Sequence, residues 1–563
     1  MRRAASIFTA VAAWMFLAAA APPPLSVVEY RLSPVLDHGE LKALAVTVRF
    51  RADPSGRTRI TLPDQDAGKS VLWRYLADLE VKGAEEVEGE GDAARIIHSK
   101  PGAPLTVAYR VVSAFDHVPS AHEGDNYRPI VLPTWFWAYG ESLFLQVDGR
   151  PRATFTWSGA PLGFPFASDL EYGGGRPRKI EDVIPSVAVG GSALRLYRRA
   201  LGGSSIRVAI LGDLQMGDAT FVGASQRVIG AERGFWNDRP SPFLVVLAAL
   251  KREPGTTQIQ GEGRSGAFAI QTNEDVSIDH LREIIAHEYF HHWNPIRLGG
   301  FAPDDRQASE YWFSEGFTDF YARRLMLRAR LMSPEAFADS WNNMLKAYAQ
   351  SPVRTAPNDR ITKDFWHDEA VGKLPYQRGA MLAAIWNARL RNTGRGGLDG
   401  LVHTQERLAS RTPGTTAAHL FAEAARTRGL DFAEDIARYV ERGDPIALGP
   451  SDFGPCFSVQ TAQVPEFERG WDLAATRAAD QVIKGLPEDS PAYAAGLRNE
   501  MKVLEYVSGE PGDATVPYVM RVRSADGQEQ TIRFSPAGKT LFTLQRLVVN
   551  PGVAANAGAA CVF

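Results

Sequence analysis

Ile278-Asp279-His280-Leu281-Arg282-Glu283-Ile284-Ile285-Ala286-His287-Glu288-Tyr289-Phe290-His291-His292-Trp293-Asn294-Pro295 is the stretch on which the reading of this chain turns. Its apolar residues recur at helical spacing. Ser277 is a suitable N-cap, Asp279 suits the positive end of a helix dipole, and Pro295 is a stop signal, so the pattern predicts a helix over 278–294. Residues four apart on a helix share a face, so His287 and His291 can turn their imidazoles toward a single ion, with Glu288 beside them.

That spacing is the HExxH arrangement of zinc peptidases. Two histidines are one ligand short of the three that a catalytic zinc site takes from protein. The expected third is Glu315, in Ser314-Glu315-Gly316-Phe317-Thr318-Asp319, read as a second helix beyond a loop carrying Pro303, Asp304 and Asp305. Asp319 lies one turn on and can accept a hydrogen bond from a ligand imidazole. Glu288 is the expected general base, and the set implies one zinc per chain. Tyr376, in Pro375-Tyr376-Gln377-Arg378-Gly379, is the candidate donor to the developing oxyanion; otherwise it is a core or rim tyrosine. His280 and His292 read as supporting or surface residues, and the remaining histidines show no partner spacing.

Outward from this site, 563 residues imply three or four domains. A hydrophobic fraction of 45% excludes wholesale disorder. With 62 basic against 65 acidic side chains, the net charge of −3 gives no general footprint for nucleic acid. From Val27 to about Trp157 short β-branched and aromatic runs (44–50, 105–112, 143–147) predict an antiparallel β domain, with a hinge at Gly173-Gly174-Gly175. Runs 206–211 and 242–247 read as strands, and helical periodicity holds from 277 to about 442. Past Pro450, strands at 481–486 and 518–523 and a short helix near 491–497 predict a small α+β unit. Arg2-Arg3, an apolar run and Ala18-Ala19-Ala20-Ala21 read as a secretory leader over 1–20, the alternative being an uncleaved anchor. Cleavage would leave no membrane span and a periplasmic or secreted protein. In an oxidising compartment the only two cysteines, Cys456 and Cys561, are expected to pair, the alternative being two unrelated thiols.

The 287–294, 314–321 and 376–380 stretches resemble the glycyl aminopeptidase family of gluzincin metallopeptidases. The resemblance implies a multidomain α+β chain: leader 1–20, N-terminal β domain 21–175, thermolysin-like, mostly helical catalytic domain 176–449, and PDZ-like domain 450–563. It implies zinc on His287, His291 and Glu315, Glu288 as base and Tyr376 as donor. Ser490-Pro491-Ala492-Tyr493-Ala494-Ala495-Gly496-Leu497 is similar to a stretch of bacterial PDZ domains, which implies a possible peptide ligand there; the alternative is a structural cap. One departure matters. Where such aminopeptidases carry a glutamate that holds the substrate's amino group, this chain reads Gly261-Glu262-Gly263-Arg264-Ser265-Gly266-Ala267-Phe268-Ala269. Glu262 and Arg264 are the substrate-binding candidates, and an arginine would favour a carboxylate over an ammonium. The expectation is an exported zinc metallopeptidase acting on peptides with small free N-terminal residues. Its rivals are an endopeptidase or exopeptidase of altered specificity and, from another class, a periplasmic peptide-binding or chaperone-like protein.

Overall fold

Leu44, Val46, Val48 and Phe50 are buried at every second position, the period by which a strand turns one face to a core. In the computed structural model they lie in a strand, Glu40–Arg51, that pairs antiparallel with Val27–Asp37 and Pro104–Val111. The structure describes residues 26–563 except 65–70, 121–126, 162, 239–240, 252–258, 265, 554–556, 558–560 and 562–563. The leader expected over 1–20 lies outside the described residues. By its internal contacts the chain divides into two units, one of Met1–Gly223 with Pro240–Ile278, the other of Ala224–Arg239 with Asp279–Phe563.

In the first unit the expected antiparallel domain is antiparallel with one exception. Val27–Asp37 takes Arg152–Trp157 as a parallel neighbour, which the long intervening chain permits. The run 143–147 is a strand only at Gln146–Val147, because Gly140–Leu143 coils into a helical turn. Gly174 and Gly175 do not mark the division between units. They end a short 3-10 turn, Asp169–Gly173, in the left-handed region that glycine reaches without strain. A five-stranded sheet follows in the order Arg195–Leu201, Ser204–Leu211, Phe243–Leu250, Ala267–Asn273, Ile259–Gly263. Its three central strands are parallel and its edges antiparallel. Phe243–Leu250 is buried at every position, which is why it reads as an unbroken apolar run.

The second unit holds most of the helices, among them Gly316–Arg328, Pro334–Gln350, Leu374–Asn392, Leu398–Ala409 and Ala417–Thr427. Ser333 caps Pro334–Gln350 through its hydroxyl, which accepts from the Ala336 N–H, with Pro334 in the first turn. The helix that begins at Ile278 ends at Phe290, four residues short of the expected 294. Ahead of Pro295 the chain turns, with the Trp293 and Asn294 amides both donating to the Phe290 carbonyl. The C-terminal segment pairs Phe457–Phe467 with Ala537–Val549 and adds a three-stranded sheet of Lys502–Ser508, Tyr518–Arg523 and Glu529–Phe534 around Ile483, Leu497, Met520 and Val522. The strand expected over 481–486 is absent, because Asp480 and Gln481 are both left-handed and break the pleat; only Val482 bridges to Lys502. Asn342 anchors this segment to the helix Pro334–Gln350: its side chain accepts from Leu547 N at 2.7 Å and donates to Leu547 O at 3.0 Å.

Cys456 and Cys561 form a disulfide across 105 residues of sequence. Among the described residues no helix is long and apolar enough to cross a membrane. Replacing both cysteines by serine should destabilise the C-terminal segment by up to about 5 kcal/mol, the loop-entropy value for a bridge of this span. Urea unfolding reads this as a lower midpoint; an unchanged midpoint, or two free thiols in the unreduced parent, contradicts it.

Candidate metal centre

The helix Ile278–Phe290 buries Leu281, Ile285, Ala286 and Tyr289, which leaves His287 and Glu288 on its open side. His291 lies just past the helix end, in the turn that Pro295 forces. The second acidic segment is two short helical pieces rather than one helix, Tyr311–Ser314 and Gly316–Arg328, with Glu315 at the joint in helical conformation. The structure brings the three expected ligands together. His287 Nε2 and His291 Nε2 are 3.1 Å apart, and each lies 3.3 Å from Glu315 Oε2.

The outer nitrogens decide what those inner atoms are. His287 Nδ1 meets Asp319 Oδ1 at 2.9 Å, and His291 Nδ1 meets the Asn294 main-chain oxygen at 2.8 Å. Both partners only accept, so each Nδ1 carries the proton and each Nε2 of a neutral imidazole presents a lone pair. With both imidazoles neutral, two lone pairs and a carboxylate oxygen face one another, and that arrangement calls for a cation. Tetrahedral zinc with bonds of about 2.0–2.1 Å needs ligand atoms about 3.3–3.4 Å apart, which the three separations match closely. Among the described residues this is the one cluster of histidine, cysteine and acidic side chains able to hold an ion.

The electrostatics agree. Burial disfavours charge on His287, yet the hydrogen bonds to Asp319 and Glu315 raise its pKa well above the ordinary value. His291 behaves alike, with Glu315 outweighing burial. Burial would raise the Glu315 pKa, but the two histidines hold it well below the carboxylate range. For Asp319, Arg323 and His287 overcome burial and bring the value down to about 2. Without an ion the site attracts protons, so metal binding releases them. Arg323 closes the outer ring: its Nη1 is 3.0 Å from Asp319 Oδ2, and its Nε donates to Ser340 Oγ at 2.9 Å.

Tyr376 is carried on the helix Leu374–Asn392, and its ring stacks on His287 with centroids 6.0 Å apart. Burial first, then Glu315 and Asp319, push its pKa well up, so the hydroxyl keeps its proton and is a donor. A glycine pair brings it there. A Cβ on Gly379 would stand 1.8 Å from the Trp312 carbonyl oxygen, and one on Gly316 would stand 2.4 Å from Gly379 Cα. Only glycines let these helices touch backbone to backbone, which sets Tyr376, one turn before Gly379, beside Glu315, which directly precedes Gly316.

His292 is no ligand. Burial and then Arg297 push its pKa down to about 4, and it accepts from Arg297 Nη2 at 2.6 Å. His280 is exposed. In the first unit Arg264 is already paired: Nη1 lies 2.6 Å from Glu141 Oε1, the guanidinium sits 4.0 Å over the Tyr139 ring, and the side chain is 4% exposed. Glu262, 4.0 Å from Arg264 Nη2, is 31% exposed. Sequence reading gave no role to Asn294, Arg323 or the Gly316–Gly379 pair. The one available signal was a glycine in each of the two outlying motifs. Asp319→Asn should weaken zinc binding about 10–100-fold while leaving the fold intact. Competition with a chromogenic chelator measures this, and parental affinity would remove Asp319 from the centre.

The family model for the M61 glycyl aminopeptidase matches residues 280–369, which contain all three ligands. No curated protein matches the chain. Among solved structures, an aminopeptidase N family protein from Idiomarina loihiensis is similar, with a TM-score of 0.67 and 14% identity over 95% of this chain and 100% of that one. An M1 zinc metallopeptidase from Deinococcus radiodurans aligns with a TM-score of 0.48 and 17% identity over 75% of this chain and 95% of that one. This chain is a zinc metallopeptidase whose ligand-bearing segment matches the M61 glycyl aminopeptidase family.

Proposed function

We propose that this metallopeptidase is an exported aminopeptidase that removes small residues, glycine or alanine, from free peptide N-termini. The observation that carries the hydrolytic part is the convergence of His287, His291 and Glu315 with Glu288 next to His287 on the same helix. Zinc, when bound, supplies Lewis-acid chemistry to the scissile carbonyl and the attacking water. Glu288 takes the proton from that water and returns it to the amine nitrogen as the C–N bond breaks. The Tyr376 hydroxyl, kept protonated by its surroundings, donates a hydrogen bond to the carbonyl oxygen as charge develops there. Asp319 holds the His287 ring in place throughout.

For the amino-terminal specificity, Glu262 is the better of the two candidates. Arg264 is sequestered by Glu141 and Tyr139, while Glu262 keeps a partly exposed carboxylate on the edge strand Ile259–Gly263. The same Arg264 favours the second reading, a peptidase that does not need a free N-terminus, because it stands in the stretch where the related aminopeptidases keep their glutamate. Export is supported by the Cys456–Cys561 disulfide. The C-terminal segment, with its own apolar core, fits a PDZ-like peptide-binding unit. A protein that worked only as a binder would have no use for Glu288.

Glu288→Gln should keep one zinc per chain and lower kcat/KM on Gly- or Ala-terminated peptides by roughly 10³-fold, within the range for a lost general base. Retained activity would overturn the mechanism. N-acetylated copies should resist cleavage by the parent, and their hydrolysis would favour the second reading. Glu262→Gln should raise KM for free-amine substrates about 10–100-fold, the value of a lost hydrogen bond to a charged group, with zinc content unchanged. An unaltered KM would rule out Glu262 as the amine acceptor.

A further inference from the structure

We infer that Asn294 is a positioning residue that clamps the two ligand-bearing segments to each other and so sets how His291 and Glu315 meet the metal; this rests on the zinc-centre reading above. Asn294 is fully buried. Its main-chain oxygen accepts the His291 Nδ1 proton at 2.8 Å. Its side-chain Nδ2 faces three acceptors on the other segment: Phe313 O at 3.1 Å, Ser314 O at 3.0 Å and Thr318 Oγ1 at 3.2 Å. Phe313 and Ser314 directly precede Glu315, and Thr318 lies one turn beyond it. One residue thus holds the outer nitrogen of one ligand with its backbone and the peptide leading into another with its side chain.

The amide has no other orientation open to it. Turned over, Oδ1 would oppose two carbonyl oxygens at hydrogen-bond distance, and Nδ2 would lose its acceptors. As it stands, Oδ1 has no hydrogen-bond partner among the described residues, a penalty accepted in order to aim both Nδ2 protons at the Glu315 segment. Backbone hydrogen bonds carry the helix through the Glu315 joint, from its amide to the Tyr311 carbonyl and from the Asp319 amide to its own carbonyl, and Asn294 grips this segment from outside.

The test uses the full chain loaded with zinc or with cobalt(II), whose visible absorption reports ligand geometry independently of turnover. Asn294→Ala should weaken zinc binding about 10–100-fold and shift the cobalt bands. Asn387→Ala provides the comparison: Asn387 is another fully buried amide, and its Oδ1 accepts from Leu398 N at 3.0 Å. That variant should lose stability and keep the parental cobalt spectrum. Should Asn294→Ala fail to fold, Thr318→Val removes one of its three acceptors and should shift the cobalt bands in a smaller way. An Asn294→Ala protein with parental zinc affinity and spectrum, or an unshifted Thr318→Val spectrum, overturns the inference. Failure of the parent to bind one zinc per chain would instead overturn the metal-centre reading.

Discussion

Three electron-rich atoms held about 3 Å apart repel one another unless a cation or a proton stands among them, and the helical unit is built to hold them there. A free chain would relax by turning an imidazole away or by taking up a proton. Here the first route is closed by what stands behind the ligands, a carboxylate on one histidine, a main-chain carbonyl on the other and a helical joint under the glutamate, and the second is the proton uptake that a metal ion reverses. The binding energy of the ion is therefore not consumed in gathering its ligands.

The bracing extends well past the ligands. Three successive residues of the helix Pro334–Gln350 serve two neighbours, Arg323 and the C-terminal segment. Ser340 receives the Arg323 hydrogen bond, Trp341 lies under the same guanidinium with 5.9 Å between charge and ring centroid, and Asn342 holds the strand Ala537–Val549 by both its amide groups. Since a helix turns about 100° per residue, such adjacent positions can serve the support of the site and a strand of the C-terminal segment at once. The C-terminal segment is thereby fastened to the helix that steadies the support of His287.

Much of the site could be read from the sequence because its chemistry is local. His287, Glu288 and His291 sit within one helical turn and a bit, and Glu315 and Asp319 within another, so periodicity alone put each set on a common face. The helix end was misjudged because Pro295 acts on the residues before it, and the chain leaves helix at Phe290 to give Asn294 its two tasks. Arg323 stands one turn after Asp319, a helical spacing open to reading, but its bond to Ser340 and the contacts of Asn294 with 313–318 join separate segments, which no spacing rule encodes. In the N-terminal region alternation gave the strands but not their partners: nothing near Val27–Asp37 announces a parallel neighbour more than a hundred residues on. Arg264 looked like a free charge in sequence, whereas its fate is set by Glu141 and Tyr139, which belong to a different stretch of chain.

The backbone contact between Gly316 and Gly379 bears on how this enzyme can change. A joint made of side chains has rotamers to redistribute, so warming loosens it and mutation can enlarge or shrink it by a methyl group at a time. This joint has neither freedom, since glycine has no conformers to populate and no smaller residue exists. The spacing between the tyrosine-bearing helix and the glutamate-bearing joint is in that sense quantised. Drift in substrate preference has to come from other residues, while the distance on which the chemistry depends stays out of reach of gradual change.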